Sequence, residues 1–134
     1  MRRSISICSA AMIALWCFCT PAWSAETDQG QKLYLQYCSS CHGIDGRGNG
    51  TVSPYLKLKV PDLSLLKKHH KGIYPLSDVM AAIDGSRVVR AHGDRQMPVW
   101  GEVFRKDVEK KKYTELTALL KAKVIAEYLA TLQR

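Results

Sequence analysis

The stretch Cys38-Ser39-Ser40-Cys41-His42 constrains this 134-residue chain more than any other, because it sets two thiols and an imidazole within five positions. Residues three and four apart share one face of a helical turn, so the three groups would stand side by side there. Paired cysteines serve as a disulfide, as half of a zinc site, as a redox dithiol, or as the anchor for a larger group. A structural zinc site needs four ligands, normally with a second pair at matching spacing, and the adjacent His69 and His70 make a poor chelating pair. A redox dithiol of this kind belongs beside a strand-helix-strand pattern, and no strand alternation is present. A plain disulfide leaves His42 unexplained. The spacing C-x-x-C-H is that of covalent c-type haem attachment, in which two thiols add to the vinyl groups along one haem edge and the imidazole reaches the iron.

The N-terminus sharpens the cysteine count. Arg2 and Arg3 precede an uncharged apolar run from Ile5 to Phe18, followed by Pro21 and the small residues Ala22, Ser24 and Ala25. That order predicts an export signal over residues 1–24, cleaved after Ser24, and a single domain over 25–134. The alternative is an uncleaved anchor, since Ile5 to Trp23 is nearly long enough to span a bilayer. Lipid attachment at Cys17 or Cys19 is disfavoured by the bulky Trp16 and Phe18 before them. Cleavage removes Cys8, Cys17 and Cys19, leaving Cys38 and Cys41 alone in an oxidising compartment where they should be joined or bound. Losing Arg2 and Arg3 takes the net charge from +8 to +6.

The remaining chain offers few helices. Residues 28–37 read as a short helix capped by Asp28, with Leu33, Tyr34 and Tyr37 as its apolar stripe. A second lies in 75–86, capped by Ser77 or Asp78, lined by Val79, Met80 and Ile83, and stopped by Gly85. The longest periodic run, about 113–132, places Leu116, Leu119, Leu120, Val124, Ile125, Tyr128, Leu129 and Leu132 on one broad face. Between them run two long segments read as loops, 43–63 and 87–104. Ordering costs about 1–2 kcal/mol per residue, which so few helix faces struggle to offset. The expected fold is therefore all-α, with long loops wrapped around a large apolar body.

An iron with one histidine leaves a sixth position to fill. Beyond the signal the thioethers are Met80 and Met97, and the further imidazoles are His69, His70 and His92. Met80 lies on an inner helix face, where core packing explains it. Met97 sits in Arg95-Gln96-Met97-Pro98-Val99-Trp100-Gly101, where Pro98 stiffens the chain beside the sulfur, so Met97 is the expected ligand and His92 its rival. Trp100, Arg90 and Arg95 flank it, and an indole N–H or a guanidinium could bond a haem propionate; a core tryptophan and a surface arginine are the plain alternatives.

With these residues in order, the chain resembles a class I, monohaem c-type cytochrome along nearly its whole mature length. Gly30, Tyr34 and Cys38 follow that family's first-helix spacing; Cys38 to Gly43 match the haem signature; Val60 to Leu63 supply a proline loop; Met97 to Gly101 the methionine loop; and Ala126 to Leu132 the last helix. The resemblance implies one haem c per chain, a close crossing of the first and last helices at Gly30 and Tyr34 against Tyr128, and a Pro61 carbonyl accepting the His42 ring proton. It assigns no role to Lys67–Pro75 or to the lysine-rich approach to the last helix.

Protein ligands on both sides of the iron leave no position for substrate, which points away from an enzyme and toward a one-electron carrier between redox proteins in the periplasm. Lys57, Lys59, Lys67, Lys68 and Lys71 form one basic cluster in the sequence, and Arg105, Lys106, Lys110, Lys111 and Lys112 another. Either could steer the carrier to acidic docking surfaces, or be a solvated surface only. Nucleic acid is an unexpected partner, as is stable membrane insertion once the signal is cleaved. The rival functions are an electron-input subunit of a larger oxidoreductase complex and, with a weak sixth ligand, a ligand-binding sensor or small peroxidase.

Overall fold

The computed structural model describes residues 23–57, 59–86, 97–109 and 112–134. The expected signal at 1–24 falls almost wholly outside them, as do Arg90, His92 and Arg95. Among the described residues the protein is all helical: α1 (Trp23–Tyr37), α2 (Ser39–His42), α3 (Leu66–His69), α4 (Leu76–Asp84), α5 (Trp100–Asp107) and α6 (Thr114–Thr131), with short 3-10 turns at Ser53–Tyr55 and Leu63–Leu65. None of these helices is long and apolar enough to cross a membrane.

Helix α6 is the hub, packing against α1, α4 and α5. Its crossing with α1 is as close as the resemblance implies. A Cβ on Gly30 would overlap the Val124 carbonyl oxygen and lie 2.9 Å from Tyr128 Cβ, so only glycine permits this approach. One turn on, the Tyr34 and Tyr128 rings meet with centroids 5.4 Å apart. Tyr34, Phe104, Ile125 and Ser64 are the largest wholly buried side chains.

Four details depart from the sequence reading. Asp28 does not cap α1, which begins five residues earlier; it pairs instead with Lys32 at 2.7 Å along the helix. Neither Ser77 nor Asp78 caps α4, because the chain is already helical at Leu76; its other end does stop at Gly85, whose φ of +82° is left-handed. The broad apolar face of α6 divides in two. The core takes Ala118, Ala122, Ile125, Ala126, Tyr128 and Leu129, while Leu116, Leu119 and Leu120 are about half exposed on the opposite side. Alanines let neighbouring helices approach closely, and there is no room for leucines in that seam. The segment read as loop around Trp100 holds α5, whose Gly101 packs against the end of α4, where a Cβ would lie 2.5 Å from the Asp84 carbonyl oxygen.

Candidate haem site

The helix does not run straight through the cysteines. Cys38, at φ −119° and ψ −36°, is a turn residue between α1 and α2, which starts as a separate turn. The Cys38 N–H still donates to Tyr34 O (2.8 Å), and the His42 N–H to Cys38 O (2.9 Å), so the two thiols and the imidazole stay within one turn. The last four carbonyls of a helix need outside partners. Here Ser39 O accepts from Gly43 N, Ser40 O from Val52 N, Cys41 O from Gly50 N and His42 O from Gly48 N, at 2.8 to 3.1 Å. The buried Tyr34 hydroxyl donates to Gly43 O at 2.6 Å, which ties the turn back to α1. Burial pushes the Tyr34 hydroxyl well above its ordinary range.

The loop after α2 then folds the proline segment against the turn. Leu63 N donates to Gly46 O (2.7 Å), and a Cβ on Gly48, at φ +77°, would collide with the Val60 carbonyl. Asp62 accepts from the Ser64 N–H and hydroxyl and from Arg134, whose backbone also bonds Ser64 O. These bonds, the Ser64 hydroxyl first, hold the Asp62 carboxyl below the usual range.

Facing this wall are Met97, Pro98 and Trp100. Trp100 is fixed by aromatic packing: its ring lies 5.4 Å edge-on from Tyr37 and 6.2 Å from Phe104, and Tyr37 contacts Phe104 at 5.2 Å. The Tyr37 hydroxyl donates to Asp107 (2.9 Å), which Lys121 also approaches at 3.3 Å. The Asp107 carboxyl is lowered by the Tyr37 hydrogen bond first and then by Lys121.

Between the two walls lies an open, mostly apolar cleft. Six residues singled out in the sequence line it: Cys38, Cys41, His42, Pro61, Met97 and Trp100. Arg90, His92 and Arg95 lie outside the described residues. Tyr37, Leu56, Lys59, Val60 and Pro98 complete the lining. Lys59, Val60 and Pro98 belong to the basic cluster, the proline loop and the methionine loop named in the sequence, whereas Tyr37 and Leu56 were not foreseen as lining, and Leu56 carries no sequence signal beyond being apolar. Of the first basic cluster only Lys59 reaches the cleft, whereas Lys67, Lys68 and Lys71 belong to α3 and the turn after it.

The donor set fits a covalently held haem. Cys38 and Cys41 are free thiols, and burial, followed by the nearby Cys41, pushes the Cys38 thiol up to about 12. Such a thiol is a poor exposed redox nucleophile. His42 is 8% exposed and opens on the same space. The thioether of Met97 comes from a different element than His42.

The comparisons agree with this geometry. Residues 25–113 match the family model described as cytochrome C oxidase, cbb3-type, subunit III. The chain is also similar to cytochrome c6 of a Picosynechococcus species, 26% identical over 98 residues, covering 71% of this chain and 81% of that protein. No solved structure matches it significantly. A family model covering most of the chain and a cleft lined by its haem signature together place this protein in that family of c-type cytochrome domains.

Proposed function

We propose that this chain is an exported, periplasmic one-electron carrier holding one haem c, with thioether bonds from Cys38 and Cys41 and with His42 and Met97 as the axial ligands. The observation that carries this reading is the convergence of Cys38, Cys41, His42, Pro61, Met97 and Trp100 on a single apolar cleft. A haem held there supplies a one-electron couple. The chain's own residues set its behaviour. His42 and Met97 would hold the iron, and a thioether ligand would favour the reduced state. With a haem in the cleft, the Pro61 carbonyl would accept from the second ring nitrogen of His42 and fix the ring. Trp100 and Arg95 are assigned to the propionates, and the apolar walls disfavour the extra charge of the ferric state. Lys59 at the rim steers the carrier toward acidic surfaces of donor and acceptor proteins. Cleavage after Ser24 releases the domain as a soluble protein, and retention of the N-terminus would instead anchor it to the outer face of the inner membrane.

A second reading, an electron-input subunit of a larger oxidoreductase complex, draws support from the family model, whose description names a subunit of an oxidase. Purification without tags under mild conditions separates the two, since a subunit travels with its complex and a carrier elutes alone. The test of the main reading is the spectrum of the reduced protein with and without carbon monoxide, together with intact mass. A reduced spectrum unmoved by carbon monoxide and a mass increased by one haem are expected; ready carbon monoxide binding would overturn the closed coordination.

A further inference from the structure

The turn closing α3 is not used by the haem site. Lys67, Lys68, His69, His70 and Lys71 are all exposed, and none of them lines the cleft. Within the described residues Lys67, Lys68 and Lys71 pair with no carboxylate. From Leu63 to Ser77 the sequence has no acid at all, and the preceding Asp62 is engaged by Ser64 and by the cation of Arg134. Directly after the lysines stands Ile73, 74% exposed.

This turn is built, not loose. His70 N donates to Leu66 O, Gly72 N to Lys67 O and Ile73 N to His70 O, at 2.9 to 3.1 Å. Lys71 and Gly72 take left-handed φ of +56° and +86°, which reverses the chain so that Ile73 follows the cations on the surface. The turn is anchored on the body by Lys67 N to Gln133 Oε1 (2.8 Å) and by the Tyr74 hydroxyl to Ala126 O (2.7 Å).

We infer that the Lys67–Ile73 turn docks this protein on an anionic lipid bilayer. The chemistry favours a fluid anionic sheet over a shaped protein pocket. The segment from Gly48 to Ser86 contains no arginine, so no bidentate fork is present to read a particular carboxylate. Lysines are compact point charges that respond to charge density, and an anionic bilayer offers phosphate groups at any spacing. An exposed aliphatic side chain beside them inserts at the headgroup boundary.

Holoprotein is sedimented with vesicles of phosphatidylcholine alone or mixed with phosphatidylglycerol. Binding to the mixed vesicles alone, released by molar salt, is expected. Each lysine near such a surface strengthens binding about fivefold, so Lys67→Gln/Lys68→Gln/Lys71→Gln together weaken it about a hundredfold. Ile73→Ser weakens it severalfold, and the control Lys106→Gln/Lys112→Gln leaves it nearly unchanged. Should the triple variant fail to keep its haem spectrum, Lys68→Glu alone serves, with a clear loss of vesicle binding expected. The proposal is overturned if the mixed vesicles do not bind, if the turn variants bind as the parent does, or if the control loses as much. Retention on immobilised polyglutamate without vesicle binding overturns it in favour of an acidic protein face. No readout depends on electron transfer, so this outcome is independent of the axial-ligand assignment.

Discussion

The two walls of the cleft are held by different kinds of force. On the Cys38–Leu63 wall, backbone donors satisfy the carbonyls of Ser39, Ser40, Cys41, His42 and Gly46 in turn, and Tyr34 seals Gly43. On the Met97–Trp100 wall, Met97 is 41% exposed and Pro98 has no N–H to give. What holds that side is the packing of Trp100 on Tyr37 and Phe104. A hydrogen-bonded turn fixes its atoms one by one, whereas an aromatic contact tolerates sliding. The wall carrying the thiols should therefore fail only with the whole fold, and the methionine wall should yield locally.

The strongest way to break this contrast is at the thiols. Cys38→Ser with Cys41→Ser is expected to abolish covalent haem, read as an intact mass with no added haem, and to lose most far-UV helical signal. The effect should rival the whole stability of a small domain, about 5–15 kcal/mol, because the apolar body that offsets chain entropy is gone. Retained helicity without haem would mean that the helices alone make the core. Met97→Ala should act locally instead: haem stays attached, carbon monoxide binds the reduced protein, and the potential falls by on the order of 100 mV, a fraction of the roughly 0.8 V that axial ligands span. An unchanged carbon monoxide response would remove Met97 from the iron.

The same division explains what the sequence could disclose. The thiol wall was legible because its determinants are local: a five-residue motif, glycines where the chain doubles back, and a proline loop a short distance on. Gly30 was legible too, though only through the family spacing, since nothing within α1 reveals that the Val124 carbonyl lies against it. The α5 helix was not, because Pro98 and Gly101 read as loop and its helicity comes from packing on α4 and α6. Nor was the split of α6, where apolar residues surround the helix and periodicity cannot say which side faces the core. Leu116, Leu119 and Leu120 looked like core and stand outside it, while small Ala118 and Ala122 form the seam.

A finer probe of the thiol wall is Tyr34→Phe. The ring and its packing on Tyr128 remain, and only the 2.6 Å bond to Gly43 O is lost. Gly43 O keeps the longer bond from Gly46 N (3.3 Å), so the loss is that of one hydrogen bond, about 0.5–1.5 kcal/mol. The denaturation midpoint should fall accordingly with the haem spectrum unchanged, since the four remaining carbonyl bonds still hold His42 in place. A spectral change at unaltered stability would mean that this hydroxyl orients the ligand and not merely the turn.

The smallest effect is acid dependence, and it separates the walls by their carboxylates, Asp62 behind the proline loop and Asp107 behind Tyr37. Asp62 titrates below its ordinary value in the folded chain because the Ser64 hydroxyl, then Arg134, bonds its ionised form. Its contribution is therefore complete above the unfolded carboxyl value, near pH 4, and is lost as pH falls through the lower folded value. The Arg134 partner is half exposed, so the pair contributes no more than about 1 kcal/mol. Asp62→Asn should lower the denaturation midpoint at about pH 6, and its difference from the parent should shrink progressively as the pH falls below about 4. Asp107, lowered chiefly by Tyr37, has the same sign, but it stands behind the wall held by packing. Asp107→Ala frees the Tyr37 hydroxyl, so carbon monoxide should begin to bind the reduced protein through a loosened Met97. The Asp62 variant should leave that site closed, and equal carbon monoxide binding in both would erase the distinction between the walls.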